Sequence, residues 1–311
     1  MVKVLNYAEN NYFCLRIIRL AGNSVELFEK LKSRFKMHAD KPGQKLSDED
    51  VAFFHKNGFL VVDFGIPDQL VDAVVEKIHP HYGSEFHANP VSAERVQDGW
   101  KIVDEVRQLA VLPQVMTALE QLWGRKPLPF QTLNFPIGTS QKTHSDTIHF
   151  NSIPKKFMAG VWLALEDVDE DNGALNYYPG SHLLPEYSMQ DLGLSMGYKN
   201  YPAYEKAIEK MIREKQLQPA IGTVKKGHAF IWHANLLHGG LPHENLSRSR
   251  HSQVTHYYFE NCKYYTPMES DEEGNIAYRN PQWITQQPYK PPTLLQRMLR
   301  KFKTAKIRHQ K

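Results

Sequence analysis

QKTHSDTIHFNSIP, residues 141–154, is the segment around which the rest of the chain is organised. It contains His144-Ser145-Asp146. In an extended backbone, residues i and i+2 project to the same face, so this imidazole and this carboxylate converge on one point. A mixed nitrogen and oxygen pair suits a divalent metal, iron(II) above all. His-x-Asp arises often by chance, and a histidine on its own defaults to a satisfied core or surface residue. The weight of the pair therefore rests on what surrounds it.

Upstream, Gln131 to Phe135 reads as a strand, followed by a turn at Gly138. Downstream, FMAGVWLAL (157–165) is almost wholly apolar, as expected of a central strand buried on both faces. Asn172-Gly173 is a hairpin turn signal, and Leu175 to Tyr178 is its returning strand. Gly222 to Val224 and Ala229 to Trp232 read as strands about the Lys226-Gly227 turn, and QVTHYYF (253–259) as another. Many short strands with turn signals between them predict a mainly β protein with flanking helices, a jelly roll of the cupin-like, double-stranded β-helix kind. Such a barrel brings distant strands to one mouth. His238, in LLHGGLPHENLSRSRHSQVTHYYF (236–259), can then join His144 and Asp146 in a 2-His-1-carboxylate facial triad, which leaves coordination positions open. Arg250 follows in the same run, placed to hold a carboxylate through two parallel hydrogen bonds.

The N-terminal half supplies the helices. Ser47 with Asp50 resembles a capping box, although the usual partner is Glu or Gln. Asn57-Gly58 closes that helix, Phe59 to Phe64 is a strand, and Pro67 opens a helix with a Leu70, Val71, Val74, Val75 and Ile78 stripe. Val103 to Leu122 reads as helix interrupted near Pro113. Tyr204 to Leu217 is an amphipathic helix inside a long connection, 182–221, of the kind that often covers a site.

Composition fits these elements. The chain has 311 residues, 41% apolar and 23% charged, with a formal charge of +4, which does not by itself call for nucleic acid. Two cysteines, Cys14 and Cys262, form no disulfide framework or zinc motif and fit a reducing, cytoplasmic setting. No segment is apolar enough to span a membrane, and no signal peptide opens the chain. The expected organisation is an N-terminal helical extension over 1–45, a catalytic domain over 46–262 with a lid insertion at about 182–221, and a C-terminal extension over 263–311. Its basic tail from Pro291 is a solvated helix or a contact for an anionic surface.

LSDEDVAFFHKNGFLVV (46–62), His144-Ser145-Asp146, VWLALEDVDEDNGALNYYPGSH (161–182) and the 236–259 run occur in one order. Together they resemble the phytanoyl-CoA dioxygenase family of iron(II)/2-oxoglutarate oxygenases, over roughly residues 46–260. One piece departs: Gly227-His228 stands where the family often has Gly-Asp. The resemblance implies iron on His144, Asp146 and His238. It implies the far carboxylate of 2-oxoglutarate on Arg250, with Arg248 the nearby competitor. It implies Trp162 in the co-substrate pocket and Gln131 and Thr132 on the strand that faces it. The implied reaction takes iron(II), 2-oxoglutarate and dioxygen and hydroxylates a small-molecule or carrier- or CoA-linked substrate, releasing succinate and carbon dioxide. A non-catalytic binding or sensor module, and more weakly a metal hydrolase or epimerase, are the other functions such a barrel could carry.

Overall fold

The computed structural model describes residues 45–83, 95–271 and 274–291. The helix expected near 25–35 and the basic tail beyond 291 lie outside the described residues. Among the described residues no helix is long and apolar enough to cross a membrane.

In chain order the elements are α1 (Asp48–Asn57), β1 (Phe59–Asp63), α2 (Asp68–Ile78), β2 (Val96–Gln97), α3 (Asp104–Ala110), α4 (Pro113–Trp123) and β3 (Pro127–Phe135). Then come β4 (Asn151–Ile153), β5 (Met158–Ala164), β6 (Leu175–Tyr177), α5 (Tyr201–Glu214), β7 (Ala220–Gly222) and β8 (His228–His233). The last are β9 (His238–Gly240), β10 (Ser252–Phe259), β11 (Lys263–Tyr265) and β12 (Tyr278–Arg279). The local signals work as their chemistry requires. The Ser47 and Asp50 side chains each accept from the other's backbone N–H, a capping box completed by Asp in place of Glu. Gly58 closes α1 at φ 81°, a left-handed conformation that favours glycine. Pro113 starts α4, so the interrupted helical pattern becomes two helices.

A six-stranded antiparallel sheet runs β1-β8-β5-β10-β3-β2, and two three-stranded sheets run β7-β6-β9 and β12-β11-β4. The architecture is the jelly roll expected from the pattern of strands. Period-two alternation splits the large sheet into two working faces. Leu60, Val62, Val161, Leu163, Ile231, Tyr257 and Phe259 pack into the same core as helices α1 to α4. Phe59, Leu133, Trp162, Phe230, Trp232 and Val254 face inward and pack on Leu175 and Tyr177 of β6. Strand β5 is buried at every residue because both of its faces are covered.

One expectation fails. Asn172-Gly173 does not fold Leu175–Tyr177 back on β5; β6 pairs with β7 and β9 in the opposite sheet. The Asn172 side chain is buried and donates to the Asp167 and Ser249 carbonyls, so this turn carries the chain across from one sheet to the other. Strand β7 likewise pairs with β6 and not with β8.

Two glycines decide how closely the inner layers approach. A Cβ at Gly239 would stand 2.6 Å from the Gln141 carbonyl, so a side chain there would push β9 away from the 141–144 segment. A Cβ at Gly160 would stand 2.2 Å from the Trp232 indole. That indole cannot retreat without leaving the inner core. Gly160→Ala is therefore expected to lower the stability to chemical denaturation by about 1–3 kcal/mol, the usual cost of overpacking. A denaturation midpoint equal to that of the wild type would contradict this account of the core.

Candidate metal centre and co-substrate pocket

The His-x-Asp pair is built differently from the strand first expected. His144 makes an isolated antiparallel bridge to His238, their backbones exchanging hydrogen bonds of 2.9 and 3.0 Å. Ser145 stays extended, and Asp146 begins a short 3₁₀ turn over Asp146–Ile148 in which the Thr147 N–H donates to the Ser145 hydroxyl. The Asp146 backbone N–H donates to the Ala234 carbonyl. Both segments are thus tied to the β8–β9 region, and the three side chains meet. His144, Asp146 and His238 are all buried, with one ligand atom from each lying within 4.8 Å of the others. Asp146 Oδ1 is 3.5 Å from His144 Nε2 and 3.9 Å from His238 Nε2.

Hydrogen bonds fix which nitrogens face inward. His144 Nδ1 bonds the Lys142 carbonyl at 2.9 Å and His238 Nδ1 bonds the Leu236 carbonyl at 3.0 Å. A carbonyl only accepts, so Nδ1 carries the proton and each Nε2 presents a lone pair to the centre. The Gln141 amide approaches His144 Nε2 at 3.3 Å, where it donates to that lone pair. Burial pulls His238 down to about 4, against the opposing charge of Asp146, so its imidazole is neutral at pH 7. Burial pushes the Asp146 carboxyl upward. The His238, His144 and His256 rings gathered around it outweigh that and hold the group well below the usual carboxylate range. Two imidazole nitrogens and one carboxylate make a donor set that suits a divalent ion of iron's type.

Asp146 Oδ2 faces away from the other two ligands. It accepts from Trp232 Nε1 at 2.8 Å and lies 3.8 Å from His256 Nε2. His256 Nδ1 in turn meets Gln131 Oε1 at 3.0 Å. Sequence reading placed Trp232 in a strand and His256 in a motif, but gave neither a part at the centre. Their alternation on β8 and β10, shared with Phe230 and Val254, is the signal that could have found them.

Arg250 lies just before β10 and is 3% exposed. Its Nη1 donates to Ser252 Oγ at 2.8 Å, its guanidinium stands 5.5 Å from the Trp162 ring, and its Nε has no acceptor. Burial lowers its pKa to about 10, with Glu166 opposing, so it remains a cation. Arg248, the competitor, is engaged elsewhere: its Nη1 donates to both Asp169 carboxylate oxygens at 2.9 Å. Trp162 is buried on the inner face with an unpartnered Nε1. Gln131 reaches the centre through His256. Thr132 does not. As the next residue on β3 it points to the opposite face, where its hydroxyl accepts from the Trp100 N–H at 3.4 Å. An aromatic wall flanks the centre. His149 is 6.2 Å from the His144 ring and stacks on Tyr198 at 3° and 5.7 Å, while Phe150 is 5.1 Å from His256.

A jelly roll that gathers two inward-facing imidazoles, one carboxylate and an unpaired buried arginine on one inner face defines a non-haem iron oxygenase. The comparisons narrow the class. The sequence model of "Phytanoyl-CoA dioxygenase (PhyH)" matches residues 54–252. The peroxisomal phytanoyl-CoA dioxygenase of Rattus norvegicus is 25% identical over 261 residues, covering 75% of this chain and 74% of the relative. Among solved structures, the non-haem α-ketoglutarate-dependent carbocyclase SnoK of nogalamycin biosynthesis aligns with a TM-score of 0.61 at 16% identity, over 79% of this chain and 96% of that one. The epimerase SnoN, solved with Fe3+, α-ketoglutarate and nogalamycin RO, aligns with 0.54 at 17% identity, over 79% and 95%. The chain belongs to the phytanoyl-CoA dioxygenase (PhyH) family. It is a dioxygenase, and its cofactors are iron(II), 2-oxoglutarate and dioxygen.

The arrangement around Asp146 yields a test of the centre. His144→Ala or His238→Ala is expected to abolish binding of one iron(II) per chain. Trp232→Phe removes the 2.8 Å bond to Oδ2 and leaves all three ligands in place. Loss of such an outer partner weakens metal affinity about 10–100-fold. Iron titration of the apoprotein reads all three. Tight binding in the Trp232→Phe protein would show that the indole does not orient the carboxylate.

Proposed function

We propose that this dioxygenase hydroxylates an unactivated carbon of a small-molecule or carrier- or CoA-linked substrate, with iron on His144, Asp146 and His238 and the far carboxylate of 2-oxoglutarate on Arg250. The observation that carries the reading is the Arg250 guanidinium. It is a buried cation with an open Nε and no carboxylate partner, on the same inner face as the three ligands. A buried charge in that condition is costly unless an anion completes it. The distal carboxylate of 2-oxoglutarate is the anion that the family brings.

Each residue has a task before and during turnover. Ser252 holds one arm of the guanidinium, leaving the Nε edge for the incoming carboxylate. Trp162 forms the apolar flank of that pocket. The Lys142 and Leu236 carbonyls keep both imidazoles in the tautomer that coordinates, so no proton must leave Nε2 on metal binding. Trp232 occupies the outer oxygen of Asp146, with His256 beside it, which directs Oδ1 to the centre. The Gln141 amide gives up the His144 lone pair when the centre is filled. Within 182–221, Tyr198 stacks on His149 and the Tyr204 hydroxyl accepts from the Ser145 N–H at 3.2 Å. We assign this segment as the substrate lid, the wall that excludes bulk water. When bound, iron and 2-oxoglutarate supply the oxidising power: one atom of dioxygen enters the substrate C–H bond and the other leaves in succinate as carbon dioxide is lost. A cytoplasmic setting is part of the proposal and is supported by the cysteine usage, although several named relatives are peroxisomal.

The test is conversion of 2-oxoglutarate to succinate by iron-loaded protein, followed as a function of 2-oxoglutarate concentration. Removing one partner of a buried charged pair costs about 2–5 kcal/mol, so Arg250→Ala should raise the 2-oxoglutarate requirement at least ~30-fold with iron binding intact. Arg248→Ala should leave it near wild type, because that side chain is spent on Asp169. The reverse pattern would move the co-substrate to Arg248 and defeat the assignment.

A further inference from the structure

Arg279 is a second guanidinium whose buried Nε has no acceptor among the described residues. It lies on β12, beyond the region that the family model matches. Its guanidinium carbon stands 4.7 Å from the Phe150 ring centre and 5.8 Å from that of Phe130. Those rings pack on His256 at 5.1 and 6.1 Å, and His256 Nε2 is 3.8 Å from Asp146 Oδ2. The Arg279 charge also reaches Tyr198, which stacks on His149 beside the first iron ligand. The side chain therefore sits against the aromatic wall that flanks the centre.

Its polar partners do not account for it. Nη1 donates to Thr266 Oγ1 at 3.3 Å, and the Nε is buried with no acceptor. Other semi-buried arginines are engaged: Arg107 with Asp104 and two carbonyls, Arg248 with Asp169. Among the described residues, Arg250 and Arg279 are the two guanidinia whose buried Nε lacks an acceptor. 2-Oxoglutarate has two carboxylates. In the proposed function Arg250 takes one and the metal the other, so Arg279 is left for a different anion.

We propose, on the basis of that reading of the centre, that Arg279 is the specificity-determining residue for a carboxylate on the primary substrate, which makes the substrate an organic acid. An open Nε–H edge matches the planar, two-oxygen edge of a carboxylate. Phosphate, with its tetrahedral oxygens, is the weaker match to one planar edge. The Phe150 and Phe130 rings, set edge to face with one another, lie against the guanidinium and leave its Nε without a partner.

The experiment is calorimetric titration of the full chain, loaded with manganese(II) as a redox-inert substitute and with 2-oxoglutarate, against octanoate, octanol and octyl phosphate. The flexible chain imposes no scaffold. A charge-assisted bond predicts octanoate binding about ten- to hundredfold tighter than octanol. The preference should vanish in Arg279→Gln and largely survive in Arg279→Lys. Equal affinity of acid and alcohol, no binding of octanoate, or a preference that persists in Arg279→Gln overturns the proposal. Tighter binding of octyl phosphate overturns the choice of carboxylate. Loss in both variants with a lowered unfolding temperature marks a purely structural arginine and overturns it as well. The series is repeated without metal or 2-oxoglutarate. Failure of 2-oxoglutarate to bind the wild type would then strike the co-substrate reading alone, while the acid–alcohol comparison still decides Arg279.

Discussion

Two backbone hydrogen bonds, between His144 and His238, are the constraint on which the site depends. They clamp segments far apart in sequence into one antiparallel bridge, and each partner of the bridge is a candidate ligand. Side chains opposite one another across such a bridge are close by construction. The ring centres are 4.6 Å apart, and Asp146 comes to the same point by way of the Ser145 extension and the 3₁₀ turn. The clamp needs Gly239, since any Cβ would strike the Gln141 carbonyl. It also needs β6 on the other side, where Tyr177 pairs with His238. Coordination geometry is thus set by backbone pairing, which is stiffer than side-chain packing alone.

The large sheet separates stability from chemistry by alternation. On its outer face, polar side chains are satisfied by the helical layer: Gln253 donates to the Val106 carbonyl and Tyr257 to that of Ala110. On its inner face, the neighbours of those residues on β10 are Val254 and His256, which meet the core and the centre. Thr132 and Gln131 divide in the same way on β3. A one-residue slip of register would exchange the two sets, so the apolar demand of the helices fixes the side on which the chemistry stands.

Local signals in the sequence described local events well. The Ser47 cap, the Gly58 stop, the Pro113 start and the apolar β5 run all depend on neighbours within a few residues. The grouping of His144, Asp146 and His238 was legible because motif order ties them together, and the structure brings the three side chains to one point. What was not legible depends on tertiary pairing. Asn172-Gly173 has the chemistry of a hairpin, but its destination is set by which sheet has an open edge. The face of Thr132 depends on the phase of β3, which one residue of error inverts. Trp232 resembles any core tryptophan until Asp146 is seen to accept from it. Arg279 lies outside the resemblance, and its ring neighbours, Phe130 of β3 and Phe150 just before β4, are remote from it in sequence.

Arg250 shows how the chain keeps a charge both buried and available. Direct pairing with a carboxylate would satisfy the guanidinium and close the pocket. Instead the nearby Glu166 is engaged with the backbone and side chains on either side. Its Oε2 accepts from the Ser249 hydroxyl at 2.6 Å and its Oε1 from the His251 N–H at 3.1 Å. The Arg250 N–H donates to the Pro136 carbonyl, and the Leu165 N–H to that of His251. Residues 249–251 are therefore held at three consecutive positions, which fixes where the guanidinium enters the interior. The carboxylate charge still favours the protonated arginine from a distance. Glu166 thus contributes field and position without competing as a ligand, and the open Nε remains for an anion that comes from outside.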